Sequence, residues 1–486
     1  MDSLSARLDT LKNAKQLAQI ASCIGREFSS ELLFEVSGYS KSKFDDDLRD
    51  LLDSGLVYRR GSPPQTTLVF NHALVQDVAY RLLLNRTRSS IHEKIVQVLE
   101  EGHQQIVDHQ PELLARHCEA ANLNRKAVQY LIKAGDDAIA RSANHEAVTH
   151  LRHGLDLIGR SADMPDTETV ELDIQSRIGI PLIAVEGYTS QQTGSAFERA
   201  QDLAEQLGDI NSRFKALYGL WGYRWMGGEH GLSNKLASEM LDIAGDRGTG
   251  EHAIIAHRCM GSTNWITGHF EAARRNFSRV LDLTEGLDTL NLAKNYAACP
   301  RVAALVLGAN GRWFEGEREE AWEGVTRGIA RARELQHPYS IAVAECVAAS
   351  IAWLREDYQA LHEHADIAKS ISTERRFPYW SSYSDALVGS MFARTGRPDE
   401  GIALISEAME AHDRMGVRIQ RSMQLSLLAD AEKIAGREDR AKQLLAEAYE
   451  FGTKSGERQW FSIILQQMSE LGLQPPDPTG KSTAGK

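Results

Sequence analysis

The segment VGSMFARTGRPDEGIALISEAM, residues 388–409, contains the pattern that decides the fold. Its first half ends in a glycine, Gly396, and a second small residue, Gly401, follows five positions later. A glycine readily takes the positive φ that ends a helix, and a small residue beyond the turn lets a second helix cross close to the first. The segment therefore predicts two helices joined by a short turn.

The same pattern recurs through the second half of the chain, for example in MGSTNWITGHFEAARRNFSRVLDL (260–283) and LADAEKIAGREDRAKQLLAEAY (428–449). The turn positions follow one another at steps of 40, 48, 40, 40 and 40 residues: Gly228, Gly268, Gly316, Glu356, Gly396 and Gly436. Five residues after them stand mostly small side chains: Ser233, Ala273, Ala321, Leu361, Gly401 and Ala441. Such a step is typical of tetratricopeptide hairpins that stack into a superhelix. We therefore predict a mostly α-helical fold in which residues 213–471 form six of these hairpins.

The repeat units are longer than a usual tetratricopeptide repeat, which has about 34 residues. We expect the additional residues to lengthen the loops between hairpins, as in LDLTEGLDTL (281–290) and SISTERRFPYW (370–380).

Four of the eight tryptophans recur at one position of the repeat, three residues before the turn position: Trp225, Trp265, Trp313 and Trp353. The first helices of a tetratricopeptide superhelix line its concave surface, so this column is a candidate aromatic strip for binding a partner peptide or ligand. Alternatively, each indole packs against the next repeat and fills the core. The sequence leaves both interpretations open.

The segments before the repeats are also predicted to be helical. Residues 105–160 read as irregular opening repeats, with helices over 111–121, 125–141 and 144–158, and residues 161–212 read as connecting helices. The final segment, 472–486, is rich in Pro, Gly and Ser and is predicted to be disordered.

Residues 14–104 do not carry the repeat. They read as three short helices followed by two strands around Gly61-Ser62-Pro63-Pro64 and by two further helices, which predicts a small winged-helix-like module. The third helix, the usual DNA-recognition helix of such modules, carries five aspartates against Lys43 and Arg49. Because phosphate contacts need Lys and Arg, this helix argues against DNA binding.

The composition limits the possible partners further. The formal net charge is −12, which disfavours general binding of nucleic acid. No apolar run is long enough for a membrane span, and the first 20 residues lack the apolar core of a secretory signal. The five cysteines are scattered and odd in number, which favours reduced thiols and a cytoplasmic location.

Catalytic and metal-binding patterns are weak in this sequence. The only GK[ST] tripeptide, Gly480–Ser482, has Pro475 where a P-loop needs its first glycine. The histidines at 145, 150 and 153, and those at 362 and 364, do not have the spacing that turns imidazoles toward one ion on a helix. We therefore predict no enzymatic activity, no cofactor and no metal.

Several segments, matched in order, resemble a family of bacterial predicted ATPases: IGREFSSELL (24–33), LVFNHALVQDVAYRLLL (68–84), PELLARHCEAA (111–121) and AGDDAIARSANHEAVTHLRHGLDLI (134–158). In that family a class III adenylate or guanylate cyclase domain often precedes an AAA-like signalling ATPase of the STAND type, a winged-helix segment and tetratricopeptide repeats. The resemblance implies that residues 1–13 correspond to the last helix of the ATPase part. It also implies that this chain is separated from its catalytic domains by a gene split or a truncation.

The resemblance suggests one further candidate residue. In related signalling ATPases a winged-helix histidine contacts the bound nucleotide, so His72 is a candidate nucleotide sensor; alternatively, it caps or packs at the start of a helix.

Three functions follow as hypotheses. The first is a non-catalytic regulatory module that binds a protein or peptide on its concave face; a separate ATPase or cyclase domain is one candidate partner, and the sequence does not identify the partner. The second is an ATP-binding or cyclase protein that acts with a separate catalytic part, and the third is a fragment of an ATP-dependent transcription regulator. The oligomeric state is not predicted.

Overall fold

The protein was analysed as a computed structural model that describes Leu8, Leu11 and residues 14–61, 67–141, 143–161, 164–246 and 248–475. The chain divides into two compact units at Pro181 and Leu182. Most of the predicted N-terminal helix (1–13), the turn after Gly61 and the tail beyond residue 475 lie outside the described residues.

The first unit begins with helices and a small antiparallel sheet. In chain order they are α1 (Ala14–Ile24), β1 (Glu27–Ser29), α2 (Ser30–Ser37), α3 (Lys41–Asp53), β2 (Val57–Arg60), β3 (Thr67–Phe70), α4 (Ala73–Arg81) and α5 (Asn85–Gly102). Strand β3 lies in the middle of the sheet, with Glu27 opposite Val69 and Val57 opposite Phe70. This is the predicted order of helices and strands, except that β1 was not predicted, because three residues are too short to show an alternating pattern.

A common core holds the helices of this region against the sheet. Leu17, Phe44 and Phe70 are almost completely buried, and the rings of Phe28 and Phe70 lie 5.6 Å apart. Ser29 caps α2 by accepting a hydrogen bond from the Leu32 amide (2.9 Å). Burial of apolar side chains from both layers is the main stabilising term of such a module.

The remaining helices of the first unit are α6 (Gln104–His109), α7 (Pro111–Ala120), α8 (Asn124–Ala140), α9 (Asn144–Arg160) and the greater part of α10 (Thr167–Glu186). Pro111 stands in the first turn of α7, where its missing amide hydrogen costs nothing. The helix α6 was not predicted, since its six residues give no measurable helical period.

Two buried histidines form a polar contact inside this unit. His92 of α5 and His117 of α7 are 4% and 1% exposed, and their Nδ1 atoms lie 2.8 Å apart. The Tyr80 hydroxyl lies 3.0 Å from Nε2 of His92. Burial, followed by the nearby Arg116, lowers the pKa of His92 to about 4; burial and then His92 lower the pKa of His117 to about 3. Both rings are therefore neutral in the folded protein at neutral pH.

Acidification is expected to destabilise the first unit through this pair. An unfolded histidine has a pKa of about 6.5, so each ring takes up its proton more readily in the unfolded chain. The stabilisation is complete above about pH 6.5 and is lost as the pH falls toward the folded values, a change on the order of 2–4 kcal/mol. Hydrogen exchange of the α5 and α7 amides between about pH 7 and about pH 4.5 measures this change.

Two variants test whether the pair is responsible. His92→Leu combined with His117→Leu removes both titrating groups and is expected to abolish most of the pH dependence, whereas His72→Gln, at an exposed position, should leave it intact. An unchanged pH dependence in the double variant would contradict the assignment. Burial also lowers the pKa of His412, in the second unit, to about 4, so the stability of the second unit also depends on pH. Hydrogen exchange in α5 and α7 is therefore the necessary readout, because it reports on the first unit alone.

The second unit consists of helical hairpins. Its helices after the end of α10 are α11 (Gln191–Leu207), α12 (Ile210–Met226), α13 (His230–Asp246), α14 (Gly250–Ile266), α15 (Phe270–Leu283), α16 (Leu290–Asn295), α17 (Pro300–Phe314), α18 (Arg318–Glu334), α19 (Pro338–Leu354), α20 (Tyr358–Arg375), α21 (Pro378–Arg394), α22 (Pro398–Arg414), α23 (Arg421–Ile434), α24 (Glu438–Ser455) and α25 (Phe461–Glu470). The predicted tetratricopeptide-like superhelix is confirmed.

All six predicted turn positions lie between the two helices of a hairpin and have positive φ, from 60° at Glu356 to 94° at Gly396. Five residues further on, the second helix crosses the first. The contact is tightest in the α21–α22 hairpin, where a Cβ added to Gly401 would lie 2.3 Å from the Gly389 carbonyl oxygen. The small residues therefore permit the predicted close approach.

The prediction for the additional residues was wrong at one of the two loops. The segment 284–299 does lengthen a connection, and it contains the short helix α16, which accounts for the 48-residue step. In contrast, SISTERR belongs mostly to α20, which runs for 18 residues and ends at Arg376 in the left-handed conformation. The additional residues therefore lengthen the helix there, and Ser372 near its end is buried.

The superhelix contacts itself after about one turn. The Met226 carbonyl at the end of α12 accepts hydrogen bonds from the amides of Arg418 and Ile419 (2.8 and 3.1 Å). The same contact repeats 40 residues later, where the Ile266 carbonyl accepts from Arg458 and Gln459 (2.9 and 3.1 Å). These backbone bonds join hairpins that are far apart in the chain. We call this pair of contacts the closure of the superhelix.

At two turns, glycine also fits the close approach of the distant hairpins. An added Cβ would lie 3.3 Å from the Arg418 Cβ at Gly228 and 3.2 Å from the Arg458 Cβ at Gly268. At Gly316, Gly396 and Gly436 an added Cβ would meet nothing within 4 Å, so those glycines serve the turn conformation alone.

The five cysteines are free and buried. None of the helices within the described ranges is both long and apolar enough to cross a membrane.

Candidate ligand site in the superhelix

One face of α12 carries four aromatic side chains at helical spacing: Phe214, Tyr218, Trp221 and Trp225. The first is stacked on His252 (ring centroids 4.2 Å apart), while Tyr218 stacks on Trp221 (6.0 Å) and Trp221 on Trp225 (5.3 Å). Tyr218 and Trp225 remain partly exposed. These rings form an aromatic ridge along α12.

Further aromatic side chains from other parts of the second unit lie near this ridge. Tyr339, at the start of α19, lies 6.2 Å from Trp380 of α21, and the phenol of Tyr188 interacts with that of Tyr339. Burial raises the pKa of Tyr188, Tyr218 and Tyr339, yet all three keep accessible surface. These side chains lie close together and keep accessible surface, so we define Tyr188, Tyr218, Trp225, Tyr339 and Trp380 as the aromatic site.

A buried arginine lies next to the aromatic site. Arg258 of α14 is 7% exposed, and its guanidinium carbon lies 5.3 Å from the ring centre of Tyr218 and 5.2 Å from that of Trp221. Its Nη2 donates to the Tyr218 hydroxyl (2.8 Å), which in turn donates to the Tyr296 carbonyl (2.8 Å). Cation–π contacts with two rings stabilise the charge only partly.

Arg258 has no anionic partner among the residues that the structure describes. No described carboxylate lies within 4 Å of its guanidinium, and its buried Nε donates to no acceptor. The carboxylate of Glu251 enters the surrounding network only through the Tyr296 hydroxyl (2.9 Å). The buried Nε1 of Trp225 is also without an acceptor. The site therefore presents hydrogen-bond donors and a positive charge that the described side chains do not satisfy.

A second arginine whose Nε is buried, Arg213, provides a contrast. Arg213 of α12 also has an unpaired Nε, but its Nη2 lies 2.6 Å from the Glu239 carboxylate. Its charge is therefore compensated within the fold.

A separate groove lies where the 48-residue step separates α15 from α18. It has a volume of about 210 Å³, with Ala304, Gly308 and Ala309 of α17 as its floor. Two of its three arginines have carboxylate partners nearby: Arg274 lies 3.7 Å from Glu315, and Arg312 pairs with Glu317. The charges of this groove are therefore largely compensated.

The four tryptophans of the predicted column fall into two groups, one buried and one partly exposed. Trp265 and Trp353 are each 3% exposed, and their indole nitrogens donate to Asn310 Oδ1 (2.9 Å) and Ser390 Oγ (3.0 Å) on the first helix of the next hairpin. These two cannot offer a face to a partner, because the hairpins pack too tightly around them. Trp225 and Trp313 remain partly exposed, and of these Trp225 belongs to the aromatic site.

The other candidate residues predicted from the sequence, all of them histidines, do not lie together in one site. His72 is exposed at the start of α4 and makes no side-chain capping bond, so its role as a nucleotide sensor stays a prediction. His153 and His362 each lie beside a single carboxylate, Glu119 and Asp366 respectively. No group of three or more His, Cys, Asp or Glu that could hold a metal ion is found within the described part of the chain.

The sequence contained one unused signal for the aromatic site. The spacing of 4, 3 and 4 residues from Phe214 to Trp225 places four aromatic rings on one helical face. Arg258 gave no signal, since a single arginine within a helix is usually solvated.

No protein-family model matches the chain. An uncharacterized protein of Rhizobium meliloti (strain 1021), R02095, is 23% identical over 466 residues, which cover 95% of this chain and 45% of that protein. The chain therefore spans less than half the length of this curated relative.

Solved structures share the helical architecture at low identity. A Rap protein complexed with competence and sporulation factor is 12% identical, with a TM-score of 0.45, over 71% of this chain and 98% of its own. A signal-transduction ATPase (STAND) protein with a tetratricopeptide repeat sensor, from Pyrococcus horikoshii, is 13% identical, with a TM-score of 0.32, over 94% of this chain and 65% of its own. Similarity at this level does not bear on function.

Proposed function

We propose that this chain is a non-catalytic binding module of a signal-transduction protein, and that its second unit takes up a peptide or protein segment at the aromatic site. One observation carries the proposal. Aromatic side chains from α12, α19 and α21 lie close together and keep accessible surface. Tyr and Trp dominate the energetics of peptide and protein recognition, because they bury a large area at a low cost in side-chain entropy.

The signalling context rests on the resemblance to the predicted ATPases. We propose that the first unit is a winged-helix-like connector and that a separate ATPase or cyclase domain is a partner of the chain. The order of helices and strands in residues 14–102 supports the first point. The face of α3 supports a protein contact over a DNA contact, since its Lys41, Lys43 and Arg49 each pair with an aspartate of the same helix.

Affinity selection of displayed random peptides on the immobilised chain tests the binding function. We expect the enriched peptides to bind with measurable heat in calorimetry. Tyr218→Ala and Trp225→Ala should each weaken binding about tenfold or more, as hot-spot residues do. Trp313→Ala is the matched control, because this indole is also partly exposed but lies outside the aromatic site. A selection without enrichment, or peptides that are insensitive to both site variants, would contradict the proposal.

A further inference from the structure

The second unit buries a positive charge at a cost in stability. Removing a guanidinium from water costs several kcal/mol unless a carboxylate or other anion compensates for it. The phenol and the two ring faces at Arg258 offset part of this cost, but its Nε remains without an acceptor. Most of the arginines discussed above, including Arg213, Arg274 and Arg312, lie near a carboxylate. Arg258 thus differs from them in lacking an anionic partner within the fold.

We infer that the aromatic site binds a carboxylate that is attached to an apolar or aromatic group, and that Arg258 supplies the counter-charge. This inference rests on the proposed function and specifies its ligand. A planar guanidinium matches the two oxygens of a carboxylate, and a carboxylate at this position would give the Nε an acceptor.

The surroundings of Arg258 define the rest of the ligand. Trp221 lies between Arg258 and Trp225, 5.2 Å from the guanidinium carbon and 5.3 Å from the Trp225 ring. The unpaired Nε1 of Trp225 is a second donor, on the indole that stacks on Trp221. Donors beside aromatic faces suit a ligand with an anionic end and a flat apolar body, and they disfavour a cationic ligand. Within a peptide, the carboxylate is either the C-terminus or an Asp or Glu side chain.

Three small probes test this chemistry on the full chain. N-acetyl-phenylalanine carries a terminal carboxylate, N-acetyl-aspartyl-phenylalaninamide carries a side-chain carboxylate next to the same aromatic ring, and N-acetyl-phenylalaninamide is uncharged. We expect at least one of the two carboxylates to raise the melting temperature and quench tryptophan fluorescence at concentrations where the amide does neither. The better of the two carboxylates identifies the source of the anionic group in a peptide ligand.

The variants Arg258→Met and Arg213→Met form a matched pair. Arg258→Met should lower the affinity for the carboxylate probes at least tenfold and remove the preference over the amide. It should also leave the melting temperature of the free protein unchanged or raised, because it removes an unpaired buried charge. Arg213→Met loses its bond to Glu239 but should keep the preference for a carboxylate.

The outcomes separate the two proposals. If the enriched peptides bind equally well with a free or amidated C-terminus and without acidic residues, the carboxylate inference is overturned while the binding function stands. If neither the probes nor the peptides bind, both the carboxylate inference and the proposed binding function are overturned. If Arg258→Met does not fold, Arg258 is a structural residue and the wild-type preference for carboxylate over amide decides the question; equal responses overturn the inference.

Discussion

Replacing Glu457 with alanine is expected to lower the free energy of unfolding of the second unit by about 3–5 kcal/mol, the cost of breaking a buried charge network. The Glu457 side chain is fully buried in the loop between α24 and α25. Its Oε2 accepts from the Gln420 amide (2.7 Å), and its Oε1 accepts from the amide (3.0 Å) and the hydroxyl of Ser422. The carboxylate thus caps the N-terminus of α23, where the helix dipole favours a negative charge.

Glu457→Ala should also weaken the closure of the superhelix, the contact of Arg418 and Ile419 with Met226. His230, also fully buried, has its Nε2 3.7 Å from Glu457, and the amides just before α23 donate to Met226. Without the carboxylate, two amides and a hydroxyl remain buried without an acceptor. Denaturant unfolding measures the stability, and hydrogen exchange of the Arg418 and Ile419 amides reports whether the closure opens.

Two further variants control this experiment. Glu457→Gln keeps the shape and one acceptor oxygen and should lose less than the alanine variant. Glu450→Ala removes an exposed carboxylate that pairs with Lys454 on α24, and it should change the stability little. If the Arg418 and Ile419 amides of Glu457→Ala exchange their hydrogens at the same rate as in the wild type, the carboxylate does not support the closure.

The second large effect is expected at Trp265. Trp265→Ala should cost about 3–5 kcal/mol, the usual range for truncating a buried tryptophan. The change leaves a cavity between hairpins and removes the donor to the buried Asn310 side chain. Unfolding in denaturant measures the loss, with the slope of the transition showing whether the denatured state has changed.

Trp313→Ala provides the comparison at the same position of the repeat. Its indole is half-exposed, with the Arg318 guanidinium 5.2 Å from its ring centre, so much less buried area is lost. Equal losses in the two variants would argue against the packing role of Trp265. If Trp265→Ala abolished peptide binding without loss of stability, the original binding-surface interpretation would be restored for this residue.

The closure bears directly on the aromatic site. Tyr188 lies next to Gly187, whose added Cβ would be 2.9 Å from the Met415 carbonyl oxygen, and the Tyr188 amide donates to that oxygen (3.2 Å). One wall of the site is therefore held by the contact between distant hairpins. A variant that opens the closure, such as Glu457→Ala, is expected to weaken ligand binding without touching the site.

The hairpins could be predicted from the sequence because their determinants are local. Each turn position takes a positive φ, which favours glycine, and each close helix crossing favours a small residue five positions later. These requirements act within about 30 residues and repeat, so the period identifies them. The short elements β1, α6 and α16 were missed, because three to six residues show no period.

The sequence by itself determined the class of fold, the six turns and the acidic face of α3. Only the tertiary structure decided which residues of the tryptophan column are buried. Trp353 lies 5.4 Å from Trp460, a contact between hairpins that no local pattern encodes. The structure also placed Arg258 among aromatic rings without an anionic partner. The physical reason is that burial and charge compensation depend on which other hairpins come into contact, whereas the conformation of a turn depends mainly on its own backbone.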